Sequence, residues 1–203
     1  MKIAICIPSH NYVHLGFAKS LANLTSHLAR SGVDFEIFSA LGTVIPDLRQ
    51  ILASRALKSG SDYLLWLDSD MHFPMDTVDR LLSHNKDIVA ATYSTRVKPL
   101  RSVAFINQYD LDARLDATTG LHRVWAVGMG CMLVSRKVFE SLPKPWFTHI
   151  YNEAEDNFVG EDIYFCKQAN EVGFKTYIDV DLSKQVAHYG IKAFILDETN
   201  EYS

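Results

Sequence analysis

Tyr63-Leu64-Leu65-Trp66-Leu67-Asp68-Ser69-Asp70 is a run of large apolar residues that stops at two carboxylates two positions apart. An uninterrupted apolar run of this kind reads as a strand buried on both faces, as in the middle of a parallel sheet. In open α/β sheets, ligands bind just beyond the carboxyl ends of the strands. Two acidic side chains there can hold a divalent cation against a phosphate, because hard cations take oxygen ligands from protein and substrate together. An acidic turn closing a strand is the alternative that these residues leave open.

The flanking sequence repeats an alternation around this run. Ile3 to Ile7 is a β-branched strand ended by Pro8, and Phe17, Leu21, Leu24 and Leu28 mark one face of a helix that Gly32 ends. Phe35 to Ser39 is a second strand. Pro46 suits the first turn of a helix whose stripe is Leu48, Ile51, Leu52 and Ala56, with Gly60 as its stop. After the run, Pro74 is expected to start a helix, and Ile88 to Thr92 a fourth strand. The order βαβαβαβ implies a mostly parallel sheet covered on both faces.

The second half is less regular. Ser102–Ile106, Leu121–Val127 and Cys131–Val134 are strand-like, with turn residues from Asp116 to Gly120. Pro143 and Pro145 break the chain before an aromatic loop around Trp146 and Phe147. Glu161 to Val172 reads as a helix closed by Gly173, and Thr176–Val180 and Val186–His188 as short strands. The expectation is one domain over residues 1–203, with a regular α/β half (1–101), a less regular half (102–190) and an acidic tail (191–203).

Composition narrows the class. An apolar fraction of 48% and a charged fraction of 22% are ordinary for a globular protein of 203 residues. The net charge of −4 gives no electrostatic grip on nucleic acid or an anionic membrane. Cys6, Cys131 and Cys166 lie far apart in apolar segments, as buried free thiols do in a reducing compartment. The opening residues lack a signal-peptide pattern, and no apolar stretch is long enough for a membrane span. A cytoplasmic protein is expected.

Three motifs in this order resemble the GT-A nucleotide-sugar-dependent glycosyltransferases. They are Asp68-Ser69-Asp70 after a buried strand, Gly128-Met129-Gly130 leading into Cys131-Met132-Leu133-Val134, and Gly160-Glu161-Asp162 followed by Val186-Ala187-His188-Tyr189-Gly190. The resemblance covers the chain from Ile3 to about Gly190. It implies a Rossmann-like α/β fold, with a mostly parallel central sheet flanked by helices and a small mixed second sheet. It also implies Mn²⁺ or Mg²⁺, a UDP-sugar donor with glucose as first guess, and a hydroxyl acceptor such as a glycan.

The resemblance assigns roles residue by residue. Asp70 and His188 hold the metal, and Asp68 reaches it through water or contacts the ribose. Asp162 is the general base of an inverting transfer, and Glu161 orients the acceptor or its loop. Pro8, Ser9 and His10 cradle base and ribose with Ser39 and Ser69. Ser39 stands where many relatives carry an acid, which leaves the base open. Arg49 matches an arginine on the helix before the acidic motif; a solvated helix residue is its other reading. Gly128, Met129 and Gly130 are expected to line the acceptor side, with Trp146 as a stacking platform. Arg96, Lys98 and Arg101 form a cationic loop suited to diphosphate, to an anionic acceptor or to solvent alone. Trp125 is expected in the core.

Two other classes remain. A phosphatase of the haloacid dehalogenase type also ends a strand in Asp-x-Asp and would use Asp68 as nucleophile. A nucleotide-sugar binding module without turnover would share the donor residues.

Overall fold

The computed structural model describes residues 1–96, 98–108, 117–153 and 156–190. The first half runs β1 (Lys2–Ser9), α1 (Leu15–Arg30), β2 (Asp34–Leu41), α2 (Ile45–Lys58), β3 (Tyr63–Leu67), β4 (Met71–His72), α3 (Thr77–Ser83) and β5 (Ile88–Ala90). Then come β6 (Ala104–Phe105), β7 (Leu121–Val124), β8 (Ala126–Val127), β9 (Cys131–Ser135) and α4 (Arg136–Ser141). The last elements are β10 (Ile150–Asn152), β11 (Asn157–Val159), α5 (Glu161–Glu171), β12 (Thr176–Asp179), α6 (Val180–Ser183) and β13 (Ala187–His188).

The central sheet has the strand order β2-β1-β3-β9-β5-β12-β7. Five of the seven strands run one way, and β9 and β7 run against them. Successive side chains on a strand point to opposite faces, and here both faces are covered. Ala4, Cys6, Leu64, Trp66, Met132 and Val134 pack into the core on one side. Ile3, Ile5, Leu65, Leu67, Cys131 and Leu133 pack into the core on the other. That double burial is why β1 and β3 carry no polar alternation. All three cysteines are buried free thiols.

The helices end where their residues dictate. His14 opens α1 by accepting the Gly16 N–H on Nδ1 at 3.1 Å. Pro46 sits in the first turn of α2. Gly32 and Gly60 follow the last turns of α1 and α2 with φ of +69° and +78°, a region where a side chain would be strained.

Several expectations change. Pro74 begins a turn, not the helix: the Thr77 Oγ1 and N–H both donate to the Pro74 carbonyl, and α3 starts at Thr77. The small second sheet is replaced by three antiparallel pairs, β10–β11, β13–β4 and β6–β8. The expected strand Leu121–Val127 breaks at Trp125, because β7 pairs with β12 whereas β8 pairs with β6. A β10–β11 hairpin follows the aromatic loop. Asp116 and the acidic tail 191–203 lie outside the described residues.

The largest departure is β9. The chain returns through Gly128-Met129-Gly130 and inserts β9 antiparallel between β3 and β5, in the middle of the sheet. Leu133, 1% exposed, is wedged there, whereas Ile37 on the edge strand β2 is 46% exposed. Leu133→Ala is therefore expected to lower unfolding free energy by about 2–5 kcal/mol, as buried Leu truncations do. Ile37→Ala should cost less than about 1 kcal/mol. Urea denaturation followed by circular dichroism measures both, and equal losses would mean that β9 is not a central strand.

Candidate active site

β3 ends at Leu67, and the next three residues turn over the edge of the sheet. Four backbone hydrogen bonds hold that turn: Asp68 N–H to Gly130 O (3.1 Å), Met71 N–H to Asp68 O (3.1 Å), His14 N–H to Ser69 O (3.0 Å) and Tyr189 N–H to Asp70 O (2.8 Å). The acidic turn is thus clamped by α1's N-terminal end, by the β9 turn and by the C-terminal strand β13. Pairing of β13 with β4 sets His188 opposite Met71, directly after Asp70.

Pro8, His10, Arg49, Asp68, Ser69 and Asp70 line one cleft of about 380 Å³, together with Glu161, Asp162 and His188 from the far end of the chain. Arg49 is its floor. The guanidinium is 3% exposed, donates from Nε to Glu161 Oε1 at 3.0 Å and from Nη2 to Asp68 Oδ1 at 2.9 Å. The Trp66 ring lies 5.6 Å from it. Arg49 is therefore neither a solvated helix residue nor a freely reaching donor ligand. Burial alone would disfavour its charge, and Asp68 and Glu161 outweigh that burial.

The carboxylates are differentiated by their neighbours. Burial raises the Asp68 pKa despite Arg49. At Asp70 burial acts upward too, but the hydrogen bond and charge of His188 and the Arg96 guanidinium hold it below the usual range. Asp162 is pushed up to about 6, first by burial and then by the negative charge of Glu161. Its Oδ1 accepts the Ile163 N–H at 2.8 Å, an α5 N-terminal donor.

His188 is oriented for a ligand. Its Nδ1 lies 3.2 Å from the Ser94 carbonyl, which can only accept, so Nδ1 carries a hydrogen whether the ring is neutral or charged. Nε2 then faces Asp70 Oδ2 at 3.4 Å. Arg96 donates to the same oxygen at 2.8 Å. Among the described residues no group of three His, Cys, Asp or Glu side chains gathers at a metal-holding distance. One carboxylate and one imidazole nitrogen nevertheless fit a first-row divalent cation whose other ligands come from diphosphate and water.

Other predicted residues lie elsewhere. Ser9 is buried, donates its hydroxyl to the Tyr12 carbonyl at 3.0 Å, and with Ser39 borders an apolar groove beside α1. Gly128 and Gly130 pack against Tyr93, whose hydroxyl stands 2.6 and 2.8 Å from where their Cβ atoms would be; Met129 is fully buried. None of the three borders the cleft itself; Gly130 meets it through its carbonyl, which accepts the Asp68 N–H. Trp146 is 4% exposed, and its Nε1 donates to the Phe139 and Leu142 carbonyls, so it is a core residue and not a sugar platform. Trp125 packs against the core but is only partly buried, and it also borders a groove beside α5. Of the cationic loop, Arg96 reaches the cleft. His149, 3.4 Å from Glu161, and Tyr93 had no motif to mark them, although two glycines flanking one residue imply a large side chain against them.

No protein-family model and no curated protein sequence matches the chain. Solved structures do. A197 from STIV aligns over 96% of this chain and 98% of its own, with a TM-score of 0.57 and 19% identity. A Drosophila β-1,4-galactosyltransferase 7 mutant, in complex with manganese, UDP-Gal and xylobiose, aligns over 97% of this chain and 78% of its own, with a TM-score of 0.53 and 15% identity. The fold is that of the GT-A glycosyltransferases. In this chain no helix among the described residues is long and apolar enough to cross a membrane.

The Arg49 bridge generates a prediction. Removing one member of a buried ion cluster strands the others, at about 3–5 kcal/mol. Arg49→Met should destabilise by that amount, and Arg49→Lys should restore little, since one ammonium cannot copy a guanidinium that spans two carboxylates. Thermal and urea unfolding read this out; wild-type stability in Arg49→Met would mean that the bridge carries no structural weight.

Proposed function

We propose that this chain is a metal-dependent glycosyltransferase that moves a hexose from a UDP-sugar to a hydroxyl of a glycan, with inversion. The observation that carries the reading is convergence: an acidic turn, a histidine whose Nε2 faces it and a carboxyl whose pKa burial raises to about 6 share one cleft. Residues 1–101 supply most of the donor side, and residues 102–190 the acceptor side, within one domain.

Asp70 and His188 would hold Mn²⁺ or Mg²⁺, which supplies Lewis acidity toward the departing diphosphate. Pro8 and His10 border the space for the nucleoside, and Ser69 exposes its turn to the same cleft. Arg96, half-exposed at the rim, offers further positive charge to phosphate oxygens. Asp68 is held by Arg49 in one rotamer, so its second oxygen has a fixed direction toward donor or solvent.

Asp162 receives the acceptor's proton. Ile163 occupies its Oδ1, which leaves Oδ2 as the accepting atom. A carboxylate with a pKa of about 6 is ionised at neutral pH yet far more basic than an ordinary aspartate, which suits a general base. Glu161 is fixed by Arg49 and acts through its charge, raising the proton affinity of its neighbour.

Incubation with UDP-glucose and other UDP-sugars, with and without Mn²⁺, should release UDP only with metal and acceptor present. Asp70→Ala is expected to abolish metal-dependent UDP binding in calorimetry. A phosphoenzyme at Asp68 would instead support the phosphatase reading. Binding of UDP-sugar without any turnover across acceptors would leave a binding module.

The pH dependence follows from the sign of the Asp162 shift. The base works only when ionised, so kcat/KM should fall as pH drops through about 6 and level off above it. Asp162→Asn should lower turnover by about 10²–10⁴-fold while keeping donor affinity. Glu161→Gln removes the second cause of the shift and should move the acid limb to lower pH. An unchanged limb in both variants would assign it to another group.

A further inference from the structure

The cleft accounts for the first turn of α5, but the exposed side of that helix continues beyond it. Ile163, Tyr164, Lys167 and Asn170 border two adjoining grooves of about 320 and 570 Å³. The grooves share Gln108, Trp125 and Lys167, so they form one trough along the helix. It starts at Ile163, next to Asp162, and runs to Glu171, about 12 Å at the rise of an α-helix. That is the span of a short oligosaccharide, and its near end is bordered by Ile163, the residue after the proposed base Asp162.

Its lining pairs an aromatic platform with positive charge. Trp66 and Trp146 are 0% and 4% exposed, whereas Trp125 keeps part of its surface free in the trough. Trp125 is also fixed in place. Its N–H donates to the Phe105 carbonyl and its carbonyl accepts from Asn170 Nδ2, both at 2.8 Å. Such a ring can stack on the apolar face of a pyranose. Around it stand Arg123, Lys167 and Lys175, and among the described residues lining the trough Glu171 is the one acid, in a chain whose net charge is −4. None of the three cations is ion-paired with a described residue. Like charges gathered in one concavity repel, and an anion seated between them relieves that repulsion.

We infer that the Trp125–Lys167 trough is an acceptor subsite for an acidic saccharide, whose ring stacks on Trp125 and whose carboxylate meets Lys167, Arg123 or Lys175. The inference rests on the transferase reading, since the trough begins one residue beyond Asp162 on the same helix. A neutral glycan would use the platform and leave the cations unanswered.

The full chain titrated with tetragalacturonic acid and with cellotetraose, read by tryptophan fluorescence, tests it; Trp125 is the tryptophan open to a ligand. The acidic tetramer should bind saturably and at least about tenfold tighter than the neutral one. Lys167→Glu with Lys175→Glu should weaken it by at least about tenfold, with UDP binding in Mn²⁺ unchanged by calorimetry. Equal affinity for both tetramers, no binding of either, or an unaffected double variant overturns the inference. If UDP fails to bind while the acidic tetramer still does, the transferase reading falls and the saccharide trough stands.

Discussion

One buried guanidinium ties the site together. Arg49 belongs to α2, Asp68 to the end of β3 and Glu161 to the start of α5, a carboxylate 112 positions away in the chain from its partner. A cation in this position would be prohibitively costly alone. Two carboxylates and the Trp66 ring make it tolerable, and in return it holds them at fixed places. Its Nη1 has no protein partner among the described residues, so the network is not closed on itself. The charge that Arg49 absorbs also sets the balance at Asp162, where Glu161 raises and Arg49 lowers proton affinity.

A second constraint acts from the other side. The segment 187–190 crosses back over the acidic turn, pairing β13 with β4 and stacking Tyr189 on His14 at 3.7 Å. Gly16 has no side chain because the Tyr189 hydroxyl stands where its Cβ would be. Asp70 and His188 are therefore brought together by backbone pairing before any ligand arrives. Preorganisation of this kind lowers the cost of holding charge in a reacting complex.

Much of the first half was legible locally. Apolar runs, helix stripes and stop glycines act over a few residues, so β1, α1, β2, α2 and β3 fall where these signals put them. β9 was visible as a strand but not as a central one. Its place between β3 and β5 depends on a turn whose two glycines make room for Tyr93, a contact between segments far apart in sequence. Trp146 went inward and Trp125, though packed against the core, kept an open face for a related reason. Flanking prolines say that a chain turns, not which way the side chain then faces, and Trp125 stands where one strand changes partners.

The sequence by itself determined the alternating α/β architecture and the order of the chemical groups: an acidic turn after a buried strand, a Glu-Asp pair opening a helix, and a late histidine. These are matters of periodicity and residue type, which local physics expresses directly. Only the tertiary structure decided what each group faces. It buried Arg49 between two carboxylates, set Nε2 of His188 toward Asp70, and left Asp162 oriented by Ile163 with a proton affinity raised by burial. Charge, desolvation and hydrogen-bond direction depend on neighbours in space, and those neighbours come from opposite ends of the chain.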